Sequence, residues 1–132
     1  MGTLKQGFDL YQSIDYPLHK AIFMMFLISE VHPFADGNGR VGRIMMNAEL
    51  VSKSEQRIII PTIYRDNYLS ALRALSHNAI SDPVIKVLDF AQRYTLRIHY
   101  DDFNTAGLDL ERTHAFMDSK EAEEEGLRLI LP

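Results

Sequence analysis

Two shortages in the amino-acid sequence exclude whole classes of function. The 132 residues contain no cysteine, which excludes disulfides, cysteine nucleophiles and thiolate metal sites. Basic residues are not in excess either, because 14 lysines and arginines stand against 18 acidic residues. Proteins that bind nucleic acid usually present a basic surface. We therefore expect no direct nucleic-acid binding by this chain.

Long hydrophobic runs are also missing. The most apolar stretch, residues 21–28, is far shorter than the roughly 20 residues that span a bilayer, and Glu30 follows it. Residues 1–10 lack the basic start and apolar run of a signal peptide. The sequence therefore predicts a cytoplasmic protein without a membrane partner.

The chain has the composition of a soluble globular domain. With 46% hydrophobic and 24% charged residues, 132 residues suffice for one domain with one core. Residues 18–30 are apolar on almost every side of a helix, which is typical of a central helix buried by its neighbours. Pro17 and Pro83 stand where helices begin, because proline suits the first helical turn. We predict a single domain over residues 1–132.

The remaining pattern is also helical. A stripe of Val41, Ile44, Met45, Ala48, Leu50 and Val51 predicts one helix with these side chains buried. Residues 57–61 are β-branched and end in proline, which indicates an extended connector. Further helices are predicted at about 4–13, 65–76, 82–99 and 105–117. No series of strands separated by turns is visible, so the predicted fold class is all-α.

One segment carries a concentration of chemically active residues. Residues 32–43 read His-Pro-Phe-Ala-Asp-Gly-Asn-Gly-Arg-Val-Gly-Arg. A Gly-Asn-Gly turn that leads into a helix presents backbone N–H groups to an anion. Arg40 and Arg43 are three residues apart and lie on one helical face, where their guanidinium groups match phosphate oxygens.

Two further residues of this segment suit phosphate chemistry. Asp36 is beside the turn, and a carboxylate next to phosphates is the usual protein ligand of Mg²⁺. His32 lies four residues upstream, where a neutral imidazole can take a proton from an attacking hydroxyl. Taken singly, these residues are typical of a turn, a helix cap or a solvated face. Taken together, they favour phosphoryl or nucleotidyl transfer.

The segment resembles the Fic motif, His-Pro-Phe-x-Asp/Glu-Gly-Asn-Gly-Arg-x-x-Arg, and agrees with it at every specified position. The resemblance extends over about residues 5–100, and residues 101–132 form a C-terminal helix and tail. It implies the Fic (Fido) helical core, a bundle of about five to six helices with the active-site loop between two central helices.

The resemblance also implies a role for each motif residue. His32 would be the general base, and Phe34 would point into the core and anchor the loop. Asp36 would bind the Mg²⁺ ion. The nucleotide phosphates would be bound by Gly37, Asn38, Gly39, Arg40 and Arg43.

The function implied is that of a protein adenylyltransferase, which transfers AMP from ATP to a serine, threonine or tyrosine hydroxyl of a target protein. ATP would be the co-substrate and Mg²⁺ the cofactor, and a homodimer is one assembly open to such a protein. Two alternatives remain. A related enzyme would use another nucleotide or phosphate-containing donor, and a non-catalytic Fic-like module would bind or regulate without transfer.

The sequence departs from the family pattern at two places. Fic proteins carry a β-hairpin flap upstream of the motif, whereas the 31 residues before His32 predict two helices. We therefore expect the chain to correspond to the C-terminal part of the core, without the flap. Residues 119–123 fit the start of the family's inhibitory pattern, but Glu124 stands where glycine or asparagine is expected. A solvated acidic helical turn is the favoured interpretation of this run.

Overall fold

The computed structural model describes residues 2–132, with side chains from Lys5 onward except that of Phe8. These residues form helices and one short 3₁₀ turn at Thr62–Tyr64, and no β-strand occurs among them. The all-α prediction is confirmed. The helices are α1 (Gly2–Gln12), α2 (Pro17–Val31), α3 (Asn38–Ser52), α4 (Arg65–Asn78), α5 (Asp82–Arg97), α6 (Phe103–Arg112) and α7 (Ser119–Glu125).

The chain divides into two compact units, one that ends at Arg57 and one that runs from Ile58 to Pro132. The first unit contains α1, α2 and α3. The second contains the 3₁₀ turn and α4 to α7.

Helix α2 is the central element of the first unit. Tyr16 is its N-cap and Pro17 its first residue, as the position of the proline predicts. Seven of its side chains are buried, on several sides of the helix: Leu18, Ala21, Ile22, Met24, Met25, Leu27 and Ile28. The predicted burial of this segment is therefore confirmed. No helix within residues 2–132 is long and apolar enough to cross a lipid bilayer.

The buried face of α3 differs from the predicted stripe. The buried residues of α3 are Asn38, Gly42, Met46 and Leu50, spaced by four. Ile44 and Val51 are instead exposed by 66% and 57%. The prediction holds for Leu50 but was wrong for Ile44 and Val51, because it followed hydrophobicity alone. A glycine and an asparagine lie on the side of α3 where close approach and hydrogen bonding matter more than apolar area.

Helix α1 is connected to α2 and α3 through one tyrosine. Burial and a hydrogen bond with Glu49 of α3 raise the pKa of Tyr11 to about 12. The ammonium of Lys20, on α2, lies 4.5 Å from the centre of the Tyr11 ring, which is a cation–π distance. Tyr11 therefore stays neutral and links all three helices of the unit.

In the second unit, α4 and α5 pack together, and the chain end closes a small core. Tyr94, Ile98 and Ala115 are buried there against Ala106, Leu110, Leu129 and Leu131. The Tyr94 hydroxyl hydrogen-bonds to the Thr113 hydroxyl at 2.6 Å. The predicted helix start at residues 81–83 is confirmed, although α5 begins at Asp82, so that Pro83 is its second residue, and the Ser81 side chain makes no capping hydrogen bond.

The C-terminal segments depart from the predicted bounds. A helix over 105–117 was predicted, but α6 begins at Phe103 and ends at Arg112. Its start is fixed by the carboxylate of Asp102, which accepts a hydrogen bond from the Thr105 N–H at 2.9 Å. The acidic run forms α7, and its glutamates are exposed, as expected for a solvated helix.

A buried carboxylate joins the end of α5 to α6. The side chain of Asp109 is only 2% exposed. It accepts hydrogen bonds from the His99 backbone N–H at 3.1 Å and from Arg112 at 2.9 Å. The His99 ring nitrogen Nδ1 lies 2.8 Å from the same carboxylate. These hydrogen bonds, above all that with the His99 side chain, lower the pKa of Asp109 below its ordinary value of 3.8.

Replacing the Asp109 carboxylate with a neutral amide should make the stability of the fold less dependent on pH in the acid range. A lowered folded-state pKa means that Asp109 stabilises the fold above its ordinary pKa and loses this effect as pH falls through the folded value. We expect Asp109→Asn to lower Tm by several degrees at pH 7, and the difference from wild type to shrink below about pH 4. Thermal unfolding followed by circular dichroism at several pH values measures both.

The control is Asp89→Asn, which removes an exposed ion pair with Arg93 at 3.2 Å on α5. It should leave Tm nearly unchanged at every pH, because exposed pairs contribute little. A constant difference between Asp109→Asn and wild type from pH 7 to the acid limit would contradict this role of Asp109.

Candidate active site

The motif occupies the short bend between α2 and α3 and the first turns of α3, and the two helices pack against each other. The backbone of His32 is left-handed, with φ of 50°, and its N–H still donates to the Ile28 carbonyl at 3.2 Å. Gly37 is also left-handed, with φ of 76°, a conformation that glycine adopts without strain. These two residues turn the chain from one helix into the next within six residues.

Gly42 allows the first turns of α3 to approach α2 closely. A Cβ atom at this position would lie 3.0 Å from the Met25 carbonyl oxygen and 3.2 Å from the Ser29 hydroxyl. The Ser29 hydroxyl itself donates a hydrogen bond to the Met25 carbonyl oxygen at 2.9 Å. The small residue between the two motif arginines therefore fixes the distance between the helices that carry the bend.

The amide side chain of Asn38 holds the bend in shape. It is 4% exposed, and its Oδ1 accepts a hydrogen bond from the Phe34 N–H at 3.1 Å. Its Nδ2 donates to the Phe34 carbonyl at 2.9 Å. The expectation that the Phe34 ring anchors the loop in the core is wrong, since this residue is 52% exposed. The Asn38 amide anchors the Phe34 backbone instead.

The start of α3 presents backbone donors to the bend. The N–H groups of the first helical residues, Asn38, Gly39 and Arg40, have no acceptor within the helix. The N–H of Gly37 differs, because it donates to Asp36 Oδ1 at 2.7 Å. An anion at the bend would therefore find donors at the helix start, while the Gly37 donor is shared with Asp36.

Both motif arginines lie over the Gly-Asn-Gly turn. An Arg40 Nη atom is 3.4 Å from the position of a Cβ on Gly37, and an Arg43 Nη atom is 3.4 Å from the corresponding position on Gly39. Arg40 also lies 3.9 Å from the Asp36 carboxylate, in an exposed ion pair. The two guanidinium groups thus fold back on the turn. Positive charge at a helix start interacts unfavourably with the helix dipole, and a bound anion would offset this cost.

These side chains surround one depression. Its volume is about 370 Å³. It is lined by His32, Ala35, Asp36, Gly37, Asn38, Gly39, Arg40 and Arg43. Every predicted site residue therefore reaches the same space. Sequence reasoning missed the role of the Asn38 side chain, for which the signal was an asparagine at the start of a helix, where such side chains often bond back to the loop.

Asp36 has the properties that a Mg²⁺ ligand needs. Its side chain is 96% exposed, and one of its oxygens bonds only weakly, to Arg40 at 3.9 Å. Mg²⁺ in nucleotide sites is commonly held by one or two carboxylates, with phosphate and water oxygens completing its shell. A single carboxylate beside an anion site fits that coordination.

A larger cavity lies in the second unit. It has a volume of about 960 Å³ and is bordered by α4, α5, α7 and the chain end. Tyr64 and Phe90 form part of its wall, with ring centres 5.4 Å apart. None of the motif residues lines it, so chemistry rather than size identifies the bend as the candidate active site.

Comparison with known proteins supports the motif assignment. Residues 3–50 match the model of the Fic/DOC family. No solved structure matches the chain significantly.

The chain also resembles several adenylyltransferases. It is 44% identical to a probable protein adenylyltransferase of Aquifex aeolicus over 61 residues, which are 46% of this chain and 18% of that protein. It is 30% identical to the protein adenylyltransferases Fic of Drosophila willistoni over 83 residues and Drosophila persimilis over 98 residues. These alignments cover 63% and 70% of this chain, and 17% and 19% of the fly proteins. The chain thus spans less than one fifth of the length of these relatives. With its intact motif on the bend between α2 and α3, the chain belongs to the Fic/DOC family and contains part of that family's core.

Proposed function

We propose that this chain carries the nucleotide-transfer site of a protein adenylyltransferase, which moves AMP from ATP to a serine, threonine or tyrosine hydroxyl of a target protein. The observation that carries the proposal is the shared lining of one depression by His32, Asp36, the Gly-Asn-Gly turn and both arginines. A proton acceptor, a metal ligand and an anion site are thereby brought within reach of one bound polyphosphate.

His32 serves as the general base. Its side chain is exposed at the edge of the depression, where a hydroxyl of another protein has access to it. The hydroxyl oxygen bonds to the α-phosphorus of ATP, and its proton passes to the imidazole. The bond between the α-phosphorus and the oxygen that bridges to the β-phosphate breaks, and pyrophosphate leaves. A positioned base of this kind contributes roughly 10²- to 10⁴-fold to a rate.

The helix start and the arginines stabilise the negative charge of the phosphates. Both guanidinium groups lie over the turn from which α3 starts, and the N–H groups of Gly39 and Arg40 belong to that helix start, so little reorganisation is needed when charge develops. Asp36 would hold Mg²⁺, which neutralises phosphate charge when it is bound. Removing the charge of Arg43, which lies over Gly39, is expected to weaken nucleotide binding.

The position of the label in ATP tests the proposal. The chain is incubated with Mg²⁺ and either α-labelled or γ-labelled ATP, together with a protein extract as the source of targets. Relative to the extract alone, we expect additional labelled protein from α-labelled ATP only, because AMP keeps the α-phosphate and pyrophosphate carries the γ-phosphate away. Gel separation of the proteins followed by autoradiography measures the transfer.

The other outcomes each point to a different function. Protein labelled from γ-labelled ATP alone would indicate phosphoryl transfer and would refute adenylyl transfer. Label from another α-labelled nucleotide, with none from ATP, would indicate a different donor. Absence of label with every nucleotide would favour a module that binds without transferring.

A further inference from the structure

The orientation of the Asn38 amide is fixed by the backbone of Phe34. Asn38 Oδ1 accepts from the Phe34 N–H at 3.1 Å, while Nδ2 donates to the Phe34 carbonyl at 2.9 Å. Exchanging the amide oxygen and nitrogen would set a donor against a donor and an acceptor against an acceptor. Both ends of this buried amide are therefore identified by the groups that they face.

The amide has one N–H left, and that group meets His32. Asn38 Nδ2 lies 3.1 Å from His32 Nδ1. Because Nδ2 can only donate, Nδ1 must offer its lone pair. A neutral imidazole has one protonated and one unprotonated nitrogen, so its proton is on Nε2. In this arrangement Nδ1 carries the only lone pair of the ring that can take a proton.

We infer that Asn38 is a positioning residue that makes Nδ1, rather than Nε2, the proton acceptor of His32 in the transfer proposed above. The target hydroxyl replaces the Asn38 N–H at Nδ1. The hydroxyl O–H bond then breaks as the oxygen bonds to the α-phosphorus, and the new N–H bond forms at Nδ1. His32 becomes an imidazolium with both nitrogens protonated, while pyrophosphate takes the electron pair of the broken P–O bond.

This assignment gives the Asn38 side chain a role beyond shaping the bend. An alanine at this position would remove both the clamp on Phe34 and the donor to His32. An aspartate would keep an acceptor for the Phe34 N–H and would present an acceptor, instead of a donor, to Nδ1. Asn38→Asp therefore separates the two roles, because it preserves part of the clamp and inverts the hydrogen bond to the ring.

Nuclear magnetic resonance of the ring nitrogens tests the inference directly. The chain is labelled with ¹⁵N-histidine and examined without nucleotide, about two units above the ordinary histidine pKa of about 6.5. Long-range ¹H–¹⁵N correlation spectra distinguish the two neutral tautomers, and loss of one spin system in His32→Ala assigns His32. The exposed His77 of α4 is the control within each spectrum.

We expect the Nε2–H tautomer at His32 in the wild-type chain and the Nδ1–H tautomer in Asn38→Asp. In Asn38→Ala the preference for Nε2–H should fall roughly five- to tenfold, the effect of losing one hydrogen bond. The tautomer ratio of His77 should be the same in all three proteins. An Nδ1–H tautomer at His32 in the wild type, or the same tautomer ratio in all three proteins, would overturn the inference.

The experiment needs neither ATP nor a target protein. A wrong tautomer therefore refutes the inference whatever the transfer assay gives. The expected tautomer in a chain that transfers no label refutes the proposed function and leaves the hydrogen-bond assignment in place.

Discussion

Leu50→Ala is expected to lower the free energy of unfolding by about 2–5 kcal/mol. The Leu50 side chain is completely buried in the first unit, on the same face of α3 as Gly42 and Met46. Truncation removes buried methyl groups and leaves a cavity that the neighbouring helices fill only in part. Because small domains are stable by only about 5–15 kcal/mol, the loss is a large fraction of the total. Urea unfolding followed by circular dichroism measures it.

The neighbouring residue supplies the matched control. Val51 is 57% exposed on the same helix, so Val51→Ala should change the free energy of unfolding by no more than about 0.5 kcal/mol. Both residues belong to the predicted apolar stripe, so hydrophobicity alone predicts a loss of stability in both variants. The observed packing of α3 predicts a large loss only for Leu50→Ala. Equal losses in the two variants would contradict the packing described for α3.

The helical fold could be predicted because its signals are local. Pro17 at the start of α2 and Pro83 at the start of α5 act through backbone geometry that does not depend on the rest of the chain. The burial of α2 is equally local, because a helix that is apolar on all sides has no polar face to expose.

Of the buried face of α3 only Leu50 could be predicted, because tertiary contacts choose the other residues. Gly42 is buried on account of its size, and Asn38 on account of the hydrogen bonds that it makes across the bend. Neither residue counts as hydrophobic. Hydrophobicity along the sequence therefore favours Ile44 and Val51, which the structure leaves largely exposed.

The same distinction applies to the site. The segment 32–43 identifies the candidate site residues, because their types and order are chemically specific, and all of them line one depression. What the order of residues does not reveal is the direction of each side chain. Phe34 is exposed where a core anchor was expected, and the Asn38 amide is turned toward Phe34 and His32.

The bend combines stabilising and destabilising features in a way that favours anion binding. The left-handed His32 and the two arginines at a helix start are unfavourable for the isolated chain. The hydrogen bonds of Asn38 and the close packing at Gly42 offset part of this cost. A bound polyphosphate would offset more, because it supplies negative charge where the helix start and both guanidinium groups meet.

His32→Ala is expected to reduce the rate of label transfer from α-labelled ATP by roughly 10²- to 10⁴-fold, the contribution of a positioned general base. Binding of ATP should persist, because the phosphate donors belong to the helix start and to Arg43 rather than to the imidazole. The nucleotide-induced rise in Tm measures this binding, and it should be lost in Arg43→Ala. His77→Ala, which removes an exposed histidine of α4, should leave both transfer and binding unchanged.

The central claim is a polyphosphate site with a proton acceptor at its edge. Its most direct test compares the transfer of label from α-labelled ATP to protein by the wild-type chain and by His32→Ala. Labelled protein is expected with the wild type and almost none with His32→Ala, although both proteins bind ATP. Equal labelling by the two proteins would contradict it.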